Sequence, residues 1–106
     1  MAYLFEVKYI YEDYTMRVRN AIESKLTAAL SPDHLEVIDN SAKHAGHGGA
    51  RPEGESHFAV IVVSSAFEGQ NRVQRQRMVY AALADEMAND IHALELKTLT
   101  PEESPA

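Results

Sequence analysis

Residues 39–64 constrain the fold more than any other part of the chain, because their two halves have opposite physical properties. The first half, residues 39–56, is rich in glycine, histidine, serine and proline, which favour turns over helices and strands. The second half, HFAVIVV at residues 57–63, is almost purely apolar and β-branched, as in a strand at the centre of a sheet. The sequence therefore predicts a long polar loop attached to the most deeply buried strand, an arrangement that often presents ligand-binding side chains.

Composition limits the classes of protein that need to be considered. The chain has 106 residues, enough for one domain, and its lack of cysteine excludes a disulfide, a thiolate metal site and a cysteine nucleophile of its own. Its formal net charge of −6 disfavours non-specific binding to nucleic acid. The sequence has neither an apolar run of the roughly 20 residues that cross a membrane nor a signal-peptide pattern. We therefore expect a cytoplasmic protein that does not associate with membranes.

The spacing of apolar residues predicts the order helix, strand, strand, helix, strand. The predicted elements are a helix at 15–30, strands at 34–38 and 57–64, a helix at 72–88 and a strand at 91–99. Strands two and three are joined by a helix and are expected to be parallel, whereas strands one and two are expected to be antiparallel. We therefore predict an α+β fold in which a three-stranded mixed sheet carries both main helices on one face.

The predicted domain spans residues 15–103, between an N-terminal extension at 1–14 and a C-terminal tail at 104–106. The apolar stripe of the first helix comprises Val18, Ile22, Leu26 and Ala29 or Leu30. The stripe of the second helix comprises Val73, Val79 or Tyr80, Leu83 and Met87. Asn71 and Gln74 have the spacing of a capping box at the start of the second helix, and Asn89 is predicted to be its left-handed C-terminal cap.

The candidates for metal ligation are His44, His47 and His92. His44 and His47 lie three residues apart in the loop, and His57 and His92 stand at the starts of the second and third strands. If those strands are parallel neighbours, His92 and either His44 or His47 converge at one end of the sheet. Neutral imidazole binds zinc, copper, nickel and iron, but two histidines are fewer than the about four protein ligands of a closed structural site. The sequence therefore predicts half of a metal site, whose other ligands come from elsewhere.

The histidines also have simpler interpretations. His47 suits a solvated loop position, and His57 suits a hydrogen bond to a backbone group at a strand end. His92 shares a side of its strand with Leu94 and Leu96, which suits a histidine at the edge of the core. No G-x-S-x-G, P-loop or H-E-x-x-H motif is present, and no spacing supplies a nucleophile, so we predict that the protein is not an enzyme.

Three arginines form a second candidate site. Arg72, Arg75 and Arg77 lie in the first turns of the second helix, where cations oppose the helix dipole. A turn and helix over residues 67–77 could place them against DNA phosphates. A solvated helix face is the alternative, and the negative net charge favours it.

Four segments, in this order and spacing, resemble the BolA family over about Met16 to Glu103. They are LEVIDNSAKHAGH, GESHFAVIVVSSAFEG, VQRQRMVYAALADEM and IHALELKTLTPEE. The chain departs from the family at Arg75-Gln76-Arg77, where Arg-His-Arg is typical, so any role of that central histidine is not carried over. The resemblance implies a class II KH-like fold of αββαβ order.

The resemblance also implies a partner and a cofactor. Members of the family associate with monothiol glutaredoxins and share a bridging [2Fe-2S] cluster, held by the glutaredoxin cysteine, a glutathione thiolate and two ligands from the BolA side. Matched by motif, the BolA-side ligands are His92 of the IHAL segment and His44, with His47 as the competitor for the loop position. We therefore expect an adaptor in iron–sulfur cluster trafficking or iron and redox regulation. The isolated chain is expected to be monomeric or weakly dimeric and to bind no cluster alone. The alternative is a DNA-binding transcriptional regulator that uses residues 67–77.

Overall fold

Our computed structural model describes residues 16–41 and 56–105, which contain three helices and three strands. The helices are α1, Arg17–Leu30; α2, Arg72–Ala82; and α3, Ala84–Asn89. The strands are β1, His34–Asp39; β2, His57–Val63; and β3, Ala93–Leu99. Short 3-10 turns occupy Ser65–Phe67 and Pro101–Glu103. The predicted order of elements is confirmed, with the second predicted helix divided into α2 and α3.

The three strands form a mixed sheet in the order β1-β2-β3. β1 is antiparallel to β2, with Val37 opposite Val60, and β2 is parallel to β3, with His57 opposite Ala93. Because β2 has a neighbour on both sides, it contains the most deeply buried apolar residues of the sheet, and Phe58, Val60 and Val62 are at most 2% exposed. The predicted sheet and its central strand are confirmed.

The helices cover the face of the sheet that carries Phe58, Val60 and Val62. α1 buries the predicted stripe of Val18, Ile22, Leu26 and Leu30. The first of these residues is separated from the last by about three turns of helix, so the whole length of α1 is anchored to the sheet. None of the described helices is long and apolar enough to cross a membrane.

The predicted apolar stripe of α2 is only partly correct. Val79 and Leu83 are fully buried, whereas Val73 and Tyr80 are 53% and 39% exposed. At about 100° per residue, Val73 and Tyr80 share a face that is rotated by about 100–120° from Val79. Val79 and Leu83 contact the core and Met87 packs against it, whereas Val73 and Tyr80 remain at the surface.

The ends of the helices follow local sequence signals in some places and tertiary contacts in others. The predicted capping box is confirmed, because Asn71 Oδ1 accepts from Gln74 N at 2.8 Å and Gln74 Oε1 accepts from Asn71 N at 2.7 Å. The predicted left-handed cap at Asn89 is wrong, since Asn89 is the last residue of α3 and the next residue has φ −127°. The Asn89 side chain instead donates to the Asp85 carbonyl at 2.9 Å, which satisfies the helix end without a left-handed residue.

Candidate functional site

His92 lies at the rim of the sheet where β2 and β3 begin. The two strands are parallel and His57 is opposite Ala93, so the predicted meeting of the two strand starts at one end is confirmed. His92 is exposed and immediately precedes β3, and its backbone N–H donates to the Ser56 carbonyl at 2.7 Å. The interpretation of His92 as a core-edge histidine is therefore wrong, because the residues that pack against the core come later in the strand. An exposed imidazole at this rim is accessible to another molecule.

His57 lies beside His92 and beneath the surface. The centroids of the two imidazole rings are 5.1 Å apart and their planes are tilted by 52°. His57 is only 6% exposed, and its Nδ1 lies 2.9 Å from the hydroxyl oxygen of Ser56. The sequence places both histidines at strand starts but does not predict that their rings meet. The available signal is that each histidine lies at or just before the start of one of two strands predicted to be parallel neighbours.

The segment that carries His44 and His47 lies between Ser41 and Ser56, and Ser56 contacts both members of this pair of histidines. Both loop histidines lie outside the described residues, so the predicted convergence of either one with His92 stays a prediction. The flanking residues Ser41 and Ser56 are buried and in contact, because Ser41 Oγ accepts from Ser56 N at 2.9 Å. The two ends of the loop are therefore held together at the rim that presents His92.

The described residues do not form a complete metal site of their own. No group of three or more histidine, aspartate or glutamate side chains in residues 16–41 and 56–105 is arranged to hold a metal ion. The chain has no cysteine, so any thiolate ligand at this rim must come from another molecule. The described part of the rim therefore offers imidazole but no thiolate.

One arginine of the second candidate site is held by the protein itself. The Arg75 side chain is 14% exposed and its Nη1 lies 2.6 Å from Glu103 Oε1. Arg75 Nη1 also donates to the Thr98 carbonyl at 3.2 Å, and Nε donates to the Gln70 carbonyl at 2.8 Å. The guanidinium carbon lies 5.9 Å from the centroid of the Phe67 ring. These contacts compensate for the unfavourable position of a cation near the start of α2. They also use guanidinium N–H donors that a DNA phosphate would require.

The Arg75–Glu103 pair also changes the acidity of Glu103. The hydrogen bond from Arg75, supported by the backbone N–H of Thr100, lowers the pKa of Glu103 to about 2. The remaining candidates, Arg72 and Arg77, are exposed on α2, whose sequence RVQRQRMVYAA contains no acidic residue. The arginines that can reach a phosphate group are therefore Arg72 and Arg77.

A groove on the open face of the sheet lies away from His57 and His92. It has a volume of about 530 Å³ and is lined at its floor by Ile61, Val63 and Leu99. His34 also lines the groove, and His34 pairs with Val63 at the end of β2 that is opposite to His57. The groove is therefore separated from the histidine rim by the length of the strands.

The sequence profile described as BolA-like protein matches residues 26–103 of this chain. The chain belongs to the BolA family. The DNA-binding transcriptional regulator BolA of Escherichia coli strain K12 is 44% identical over 88 residues, which cover 83% of this chain and 80% of that protein. BolA-like protein 1 of Homo sapiens is 48% identical over 84 residues, which cover 79% of this chain and 58% of that protein. This BolA-family chain thus spans little more than half the length of its human relative.

The solved structures of BolA proteins have the same fold. BolA1 from Arabidopsis thaliana matches this chain with a TM-score of 0.71 and 40% sequence identity, over 81% of this chain and 94% of that structure. The α+β class and the three-stranded mixed sheet predicted from the sequence are therefore those of the BolA family.

Proposed function

We propose that this BolA-family protein is a non-enzymatic adaptor that binds a monothiol glutaredoxin and shares a bridging [2Fe-2S] cluster with it. The observation that carries the proposal is the position of His92, an exposed imidazole at the rim where the loop with His44 and His47 begins and ends. A buried His92, or a β3 that began at the other end of the sheet, would have left no accessible pair of ligands.

The chemistry of the donor groups supports a shared cluster. A [2Fe-2S] cluster needs thiolate ligands, which this chain lacks and which a glutaredoxin cysteine and glutathione would supply. Histidine ligation of one iron raises the reduction potential relative to ligation by thiolates alone. The cluster would therefore be held jointly, with His92 and one loop histidine as the ligands from this chain.

Chain length favours His44 over His47 as the loop ligand. His44 follows the buried anchor Ser41 by three residues, and three extended residues span about 11 Å at most. His47 follows Ser41 by six residues and precedes Ser56 by nine, so the chain restrains it less. We therefore propose His44 and His92 as the ligand pair, with His47 as the alternative to His44.

The test is a titration of the protein into cluster-loaded monothiol glutaredoxin with glutathione, followed by visible circular dichroism. The wild-type protein is expected to produce a new spectrum, because two imidazoles replace other ligands of the cluster. His92→Ala is expected to abolish the new spectrum, and separate His44→Ala and His47→Ala variants identify the loop ligand.

The matched control is His34→Ala. The His34 side chain is 54% exposed and lies at the start of β1, opposite Val63, far from His92 along the sheet. His34→Ala is therefore expected to behave as the wild type. A spectrum that the wild-type protein leaves unchanged, or a change that persists in the combined His44→Ala and His92→Ala variant, would refute cluster sharing through these residues.

A second candidate function is DNA binding. It is supported by the name of the Escherichia coli relative, a DNA-binding transcriptional regulator, and by the exposed Arg72 and Arg77 on a helix without acidic residues. Each phosphate contact contributes about −0.9 to the slope of log affinity against log salt concentration. Two contacts therefore predict a slope of about −2 for duplex DNA, and Arg72→Gln or Arg77→Gln is expected to remove about one unit.

The control for DNA binding is Arg19→Gln, which removes a cation of α1 that is already paired with Glu23 at 3.0 Å. Arg19→Gln is expected to leave the slope unchanged. A flat dependence on salt in the wild-type protein would exclude phosphate contacts as the source of affinity.

We further propose a cytoplasmic location and a monomeric or weakly dimeric state without the partner. A chain without cysteine suits a reducing compartment, and none of the described helices could span a membrane.

A further inference from the structure

The hydroxyl group of Ser41 closes the base of the loop at a buried point. Ser41 is 3% exposed and Ser56 is 1% exposed. Ser41 Oγ accepts from Ser56 N at 2.9 Å and from His57 N at 3.1 Å. The backbone N–H of Ser41 donates to Asp39 Oδ1 at 2.9 Å. A buried N–H group without an acceptor is costly, so the Ser41 hydroxyl satisfies two donors that a smaller side chain would leave unpaired.

The two bonds accepted by Ser41 determine how the neighbouring hydroxyl groups donate. A hydroxyl oxygen has two acceptor positions and one O–H donor. Ser41 Oγ and Ser56 Oγ lie 3.4 Å apart. Since two backbone N–H groups already fill both acceptor positions of Ser41, that oxygen has none left for the O–H of Ser56. The Ser56 O–H is then available to donate to His57 Nδ1 at 2.9 Å. A neutral imidazole that accepts at Nδ1 carries its proton on Nε2.

Ser56 and His57 together contact His92 through both its backbone and its ring. The Ser56 carbonyl accepts from His92 N at 2.7 Å and from Ala93 N at 3.2 Å, which fixes the backbone at the start of β3. The His57 ring, held by Ser56 Oγ, lies against the His92 ring with 5.1 Å between centroids. An exposed side chain normally samples several rotamers, and a fixed ring beside it reduces that freedom.

We propose that Ser41 and Ser56 are positioning residues that hold His57 as the Nε2–H tautomer and, through the His57 ring, orient the His92 imidazole at the rim. Groups that contact a metal-ligating side chain on the side away from the metal set its orientation. Removing such a group typically lowers metal affinity by about 10–100-fold. The consequence for cluster binding rests on the proposed function, whereas the tautomer and the ring orientation are properties of the isolated chain.

The first experiment uses the isolated protein and nitrogen-15 NMR of the imidazole rings at alkaline pH. Wild-type His57 is expected to show a protonated Nε2 and nuclear Overhauser effects to the His92 ring. Ser56→Ala is expected to produce a mixture of His57 tautomers and weaker effects between the two rings. Ser56→Thr restores the hydroxyl group and is expected to restore the wild-type pattern.

The matched control is Ser64→Ala. Ser64 is fully buried at the opposite end of β2, and its Oγ donates to the Leu30 carbonyl at 2.6 Å. Ser64→Ala also removes a buried hydroxyl group, but it is expected to leave the His57 tautomer unchanged. A wild-type His57 protonated at Nδ1, or a tautomer and ring contacts that survive Ser56→Ala, would overturn the proposal.

The second experiment measures the consequence for the shared cluster. Ser56→Ala is expected to weaken retention of the cluster by about tenfold or more in the visible circular dichroism titration, and Ser64→Ala is not. An equal loss in both variants would mean that Ser56 acts only through stability and would overturn the positioning role. If the wild-type protein forms no shared cluster, the proposed function fails, and the NMR result still decides whether these serines position the rings.

Discussion

At the scale of single residues, the His57 and His92 rings meet because the parallel register of β2 and β3 joins positions 35 residues apart. Both residues are recognisable in the sequence as histidines at strand starts, but that register is not. Ser41 and Ser56 have no sequence signal that distinguishes them from other loop serines. Both serines are buried, and the backbone N–H groups of Ser56 and His57 both donate to the hydroxyl oxygen of Ser41.

Gly69 provides a test at this scale. It lies in the predicted turn before α2 and has φ 78°, and a Cβ atom placed there would have nothing within 4 Å. Gly69→Ala is therefore expected to lower the free energy of unfolding by about 1–2 kcal/mol through backbone strain alone. Urea denaturation measures the loss.

The control at this position is Gly69→Asn, since asparagine tolerates the left-handed region better than alanine. A smaller loss for Gly69→Asn than for Gly69→Ala would identify backbone conformation as the cause. Equal losses would mean that the absence of a side chain, rather than the sign of φ, is required.

At the scale of elements, Arg75, a cation near the start of α2, connects this helix to the turn that follows β3. Arg75 binds Glu103, the Thr98 carbonyl and the Gln70 carbonyl, so one side chain joins three segments of the chain. The sequence shows only an unfavourable cation near a helix start. Its compensating partner lies 28 residues away, beyond the reach of any local pattern.

The Arg75–Glu103 pair predicts a dependence of stability on pH. The pKa of Glu103 is lowered from 4.5 to about 2, so the folded state favours the ionised carboxylate. The ion pair therefore contributes its full stabilisation at pH values above 4.5, the pKa of Glu103 in the unfolded state. This contribution is lost as the pH falls from about 4.5 toward 2. Glu103→Gln is expected to be less stable than the wild type at neutral pH, with a difference that shrinks over this range.

Urea denaturation at a series of pH values measures the difference in stability. Glu102→Gln is the control, because Glu102 is an exposed glutamate of the same turn and its loss changes the net charge equally. A difference between Glu103→Gln and the wild type that stays constant down to about pH 2 would contradict the assigned ion pair.

At the scale of the whole molecule, the sheet separates two surfaces. The strand starts of β2 and β3 present His92 and the base of the loop, while the other end of the strands borders the apolar groove beside Val63 and Leu99. The net charge of −6 is not spread evenly, since α2 carries three arginines and no acid. One small domain thus offers an imidazole rim and a basic helix face on different parts of its surface.

The sequence by itself determined the order of the elements, the central position of β2 and the capping box of α2. These features depend on periodicity and on contacts between residues a few positions apart, which a sequence displays directly. Only the tertiary structure decided the pairing of His57 with His92, the exposure of Val73 and Tyr80, and the Arg75–Glu103 contact. Each of these features depends on which distant segment of the chain lies next to the residue. Strand register and the packing of helices on the sheet determine that neighbour.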